Sequence, residues 1–96
     1  MALDSSSVLI RYLETEFPGA RVRESTREAD EWPLMRCFRV TDGRNTHLLI
    51  VASTLFATRS DGQMRGFLED HRVADYLFRA RESPVLLTEG GLSLAD

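Results

Sequence analysis

"LMRCFRVTDGRNTHLLIVAS", residues 34–53, decides the fold of this 96-residue chain. Asp42-Gly43 is a dipeptide favoured in tight hairpins, where positive φ angles are needed, and it separates two apolar-rich stretches. A two-residue loop at 42 and 43 or a four-residue loop at 42–45 changes the register but not which residues share a face. One face then carries Arg36, Phe38, Val40, His47, Leu49 and Val51, and the other Met35, Cys37, Arg39, Leu48, Ile50 and Ala52. Both are largely apolar, whereas a strand with one wet face alternates. Each face therefore needs a cover. Helices can supply one. A second copy of the chain, or in part the terminal hairpin, is expected to supply the other, because so large an apolar patch is seldom left to water. Phe38, Val40, Leu49 and Val51 form the candidate dimer face, with the assignment of the two faces to helices and partner left open by the sequence.

Upstream of the hairpin, Asp4 to Ser7 offers N-cap residues, and Val8, Leu9, Ile10, Tyr12, Leu13 and Phe17 make one broad apolar side of a helix. "FPG" at 17–19 ends it. "ARVRES", 20–25, alternates Ala20 and Val22 against Arg21 and Arg23, the pattern of a short strand with one wet face. "TREADEWP", 26–33, has no period and reads as a loop.

Downstream, "STLFATRSDGQMRG" reads as a loop leading to Ser60, whose spacing to Gln63 matches a capping box. Met64, Phe67 and Leu68 form one stripe, and Val73, Ala74, Leu77 and Phe78 a second that is out of phase with it. A helix kinked or broken near Asp70, with Asp70 capping the second segment, reconciles them. Pro84 then stops the helix, and Gly90-Gly91 between VLL and LSL predicts a terminal hairpin. The expected architecture is one α+β domain over 1–96, in the order α-β-β-β-α-β-β. An antiparallel sheet is expected, with the helices packed on one face.

Composition narrows the function classes. Apolar residues at 43% and charged ones at 28% are those of an ordinary globular protein. A net charge of −3 and a pI near 5.3 weigh against nucleic acid as the main partner. All 12 basic residues are arginines. Chemistry that needs a lysine, such as a Schiff base or a phosphate-loop lysine, is thereby excluded. Cys37 is the single cysteine, so no intrachain disulfide or multi-cysteine zinc cage can form. The opening "MALDSSSVLIRYLE" has no basic leader, and its VLI run is too short for a signal peptide or membrane span. A cytoplasmic protein is expected, without a membrane partner.

The candidate chemistry is thin. His47, His71, Cys37 and Asp42 lack the spacing of common metal sites, and no cofactor or metal is expected. Cys37 and His47 point to opposite faces of the hairpin, which rules out a nucleophile and base pair. Glu28, Asp30 and Glu31 lack the alternating ligand pattern of a calcium loop. Arg21, Arg23 and Arg39, with His47, are the candidate contacts for an anion or a partner. Helix, three strands, helix is similar in layout to the double-stranded RNA-binding domain, whose docking lysines have no counterpart in "RSDGQMRG". With two more strands the order is similar to small acidic dimeric chaperones of secreted effectors. Layout alone licenses no function. The residues favour a non-enzymatic binding or regulatory module, homodimeric and acting through protein contacts. The alternatives are a small enzyme or anion-binding domain using arginine and histidine, and an RNA-binding domain.

Overall fold

The computed structural model describes residues 6–25 and 34–95, so the expected loop at 26–33 and the N-cap candidates Asp4 and Ser5 lie outside the described residues. Helix α1 runs over Ser6–Glu16 and is followed by strands β1 (Arg21–Ser25), β2 (Met35–Asp42) and β3 (Asn45–Ala52). Helices α2 (Ser53–Thr58), α3 (Asp61–Asp70) and α4 (Val73–Ala80) lead to β4 (Val85–Thr88) and β5 (Gly91–Leu94). This is an α+β domain whose five strands lie in sequence order across one sheet.

The central hairpin pairs Asp42 with Asn45, leaving Gly43 and Arg44 as its loop. Gly43 takes φ 62°, and Arg44 is not among the positive-φ residues. Glycine at the first central position is what a type II′ turn requires, and its twist matches that of the flanking strands. The face assignment made from the sequence holds: Phe38 opposes Leu49, Val40 opposes His47, and Cys37 opposes Ile50.

Three features differ from the sequence reading. Residues 53–58 form helix α2, where a loop was expected; at six residues it is too short to show a helical period, and it is fixed by burying Leu55 and Phe56. The sheet is mixed, not antiparallel throughout, because β4 pairs with β3 in parallel. Helices α2 to α4 form the crossover that parallel neighbours need. The break between α3 and α4 falls after Asp70, as the two stripes predict. Its N-cap, however, is Arg72 at φ 51° and ψ 51°, with no side-chain cap, so Asp70 does not cap α4. The Ser60–Gln63 capping box is present in both directions.

The core lies on one side of the sheet. Leu9 and Leu13 of α1, Met64 and Leu68 of α3, and Val73 and Leu77 of α4 pack with Phe38, Val40, Leu49, Val51, Val85 and Leu87. Each such side chain contributes roughly 1.5–3 kcal/mol when taken from water. Phe38, Val40, Leu49 and Val51 are therefore the helix-covered face, fully buried within one chain, and they offer no surface to a second copy. On the other face, Cys37 and Ile50 are also fully buried within the single chain, with Met35, Arg39, Leu48 and Leu86 half-buried around them. The terminal hairpin does not fold over that face; β5 pairs with β4 and extends the sheet sideways. Among the described residues the large apolar side chains left exposed are Leu34, Phe78 and Leu94. No helix among them is long and apolar enough to cross a membrane.

Candidate functional site

Strand pairing brings three of the four candidate contact residues together. Arg23 lies directly opposite Arg39, and Arg21 opposite Thr41, so the three arginines share the face of the sheet away from the helices. Arg21 and Arg23 are exposed, and Arg39 is half-buried and engaged in a contact of its own. Thr41, Thr46 and Leu48 continue this surface toward the central turn. The pleat sends Glu24 and Asp42 to the helix side, so among the described strand residues no carboxylate shares the arginine face.

His47 does not join them. It opposes Val40 on the helix-covered face, is almost fully buried, and donates from Nδ1 to the Arg81 carbonyl oxygen at 2.7 Å. A carbonyl only accepts, which fixes the proton on Nδ1. The ring also packs against Phe17, with centroids 5.4 Å apart. Cys37 lies on the opposite face, as its sequence parity requires, and its thiol is buried. His71 is elsewhere: its Nδ1 bonds the Phe67 carbonyl oxygen at 2.9 Å and its ring packs on Phe67 at 4.2 Å.

Two ion pairs were not visible in the sequence. Arg36 makes a bidentate pair with Glu24, at 2.6 and 2.7 Å, with its guanidinium 4.5 Å above the Phe56 ring. The partners are 12 residues apart and meet only through the β1–β2 register. Arg59 holds Glu89 with two hydrogen bonds, at 3.0 and 2.9 Å, and lies over Phe67. This ties the β4–β5 turn to α3. The hydrogen bonds from Arg59 hold the Glu89 carboxyl below the usual carboxylate range. The unfolded chain then takes the proton more readily, so the pair's contribution is present at neutral pH and is lost as pH falls through the acidic range.

An open cleft of about 500 Å³ lies between α1 and α3. Arg11 and Arg65 on its walls are interspersed with Glu16, Asp61 and Glu69, so it presents no field of one sign. Tyr12 also lines it; its hydroxyl accepts from the Ala74 N–H at 3.1 Å, and burial pushes its phenol up from the ordinary value. Among the described residues no three His, Cys, Asp or Glu side chains converge as metal ligands. The melting transition is therefore expected to be unmoved by a strong chelator or by reductant. A downward shift in a calorimetric scan with chelator would reveal a metal the histidines hold.

No protein-family model matches this sequence, and comparison with curated proteins and with solved structures gives no significant match.

Proposed function

We propose that this chain is a non-enzymatic, homodimeric binding module of the cytoplasm. Its arginine face, built on Arg21, Arg23 and Arg39, takes an acidic segment of a protein partner. The observation that carries this reading is the direct opposition of Arg23 and Arg39 on a sheet face without a carboxylate among the described strand residues. Like charges directly opposite each other on a strand pair work against folding unless another group neutralises them; Arg39 has a contact of its own, and Arg21 and Arg23 stand exposed beside it. Guanidinium forks are matched in shape to carboxylates and can bind them through two parallel hydrogen bonds. The net charge of −3 favours short acidic segments over a long polyanion, whose other phosphates the rest of the surface would repel. Against the enzyme alternative, among the described strand residues no carboxylate or histidine shares the arginine face, and His47 is on the other side in a backbone contact. The single buried thiol fits a reducing compartment.

The test is anisotropy titration with a labelled glutamate-rich peptide and with a single-stranded RNA oligomer, on the parent chain and on Arg21→Glu/Arg23→Glu. We expect the peptide to bind and the double variant to lose at least tenfold in affinity, with the fold unchanged by circular dichroism. Steeply salt-dependent RNA binding lost in the same variant, with no peptide binding, would replace this reading with nucleic-acid recognition.

A further inference from the structure

The two edges of the sheet are protected very differently. Strand β1 carries Arg21, Arg23 and Glu24 within five residues, and charges of this kind blunt an edge against pairing. Strand β5, "GLSL", has neither a charge nor a proline. Its free backbone groups can be assigned by parity. Ala95 donates its N–H inward to the Pro84 carbonyl at 2.9 Å, so Gly91 and Ser93 also face β4, and Leu92 and Leu94 direct their N–H and C=O groups out of the sheet. That outward pattern is self-complementary about Ser93: a second β5, turned antiparallel, sets its Leu94 against Leu92 and its Leu92 against Leu94, and every outward group finds a partner.

The flanking surface suits the same operation. Leu94 is 47% exposed, and it pairs with Val85 at the start of β4, close in the chain to the end of α4, where Phe78 is 67% exposed. Asp75 in the first turn of α4 and Arg79 in its last are both exposed and already pair with each other at 3.3 Å. A two-fold axis normal to the sheet at Ser93 lays the two α4 helices antiparallel on one side.

We propose that the chain self-associates through β5, joining two five-stranded sheets edge to edge into one continuous sheet with a two-fold axis at Ser93. This rests on the homodimeric part of the proposed function and locates its interface. The arginine face lies at the β1–β2 end of the sheet, so both copies keep it accessible.

The register makes a sharp test. Ser93 and its symmetry mate form a non-hydrogen-bonded pair, with Cα atoms about 4.5 Å apart, inside the roughly 4.4–6.8 Å that a disulfide spans. Under mild oxidation Ser93→Cys is expected to give a covalent dimer in high yield. Leu94→Cys, whose symmetry mate lies across the axis and two residues along the strand, beyond disulfide reach, is expected to give little. Leu94→Arg, a change at a half-exposed position, is expected to raise the dimer dissociation constant at least tenfold by light scattering while the melting transition stays cooperative. A parent chain that is monomeric at all working concentrations would overturn both this inference and the homodimeric reading. A dimer in which Ser93→Cys does not cross-link, or Leu94→Cys cross-links equally well, would overturn the β5 interface alone.

Discussion

Leu49→Asp is expected to abolish the cooperative melting transition, while Ile50→Asp leaves a folded chain of reduced stability. Both positions are fully buried within one chain, so burial alone does not separate them. The difference lies in what surrounds each. Leu49 sits between Phe38 and Val85 beneath the helices, in the centre of the apolar core. Removing a buried leucine side chain costs roughly 2–5 kcal/mol, and an unpaired buried carboxylate adds several more. A chain of this size has roughly 5–14 kcal/mol in total, at about 0.05–0.15 kcal/mol per residue. The substitution therefore consumes most or all of it. Ile50 lies on the other face, with Cys37 and Leu86 beside it and Arg39 at the diagonal position of the β2–β3 pair. A long arginine side chain reaches a diagonal neighbour, so Arg39, although engaged in a contact of its own, brings positive charge near an aspartate at 50 that position 49 lacks. Ile50→Asp is not expected to change the association state, because the exposed apolar residues lie elsewhere. Circular dichroism melts of the two variants decide the matter: a cooperative transition for Leu49→Asp within a few degrees of the parent would show that the core is misplaced.

Much of this was legible in the sequence, and what was not has identifiable causes. The hairpin faces followed from parity, which any even change in loop length preserves. Helix α1 and the Ser60–Gln63 box followed from periodicity and capping chemistry. The face that the helices cover did not, because Phe38, Val40, Leu49 and Val51 on one side and Cys37, Leu48 and Ile50 on the other are equally apolar. Helix α2 is held by Leu55 and Phe56 reaching the core, a tertiary effect without a local signature. The parallel β3–β4 pairing depends on where three helices deposit the chain, which no strand pattern records. The arginine face was half legible. Residue parity had already put Arg39 and His47 on opposite faces, and only the β1–β2 register showed that Arg21 and Arg23 join Arg39.

Replacing His47 with alanine is expected to lower stability by about 2–4 kcal/mol, which for a domain of this size is a fall in Tm of order 10–30 °C. The cost has two parts. The Arg81 carbonyl loses its donor in a place where water has little access, because His47 is 96% shielded there. A gap also opens against Phe17, at the point where α1 ends and packs on β3. Arg81 adds leverage. It has φ 57° and ψ −118°, which is unfavourable for a side chain other than glycine, and the hydrogen bond from His47 helps to hold this turn between α4 and β4. His71→Ala makes the control: that ring is exposed and bonds a carbonyl of its own helix, so a change of under about 1 kcal/mol is expected. If His47 were instead an acid or base of an active site, its replacement would leave the melting temperature in place and remove an activity. Calorimetry on the two alanine variants, read beside the peptide titration, separates these cases: a large fall in Tm for His47→Ala with an unchanged peptide affinity places the histidine in the scaffold and the binding in the arginines.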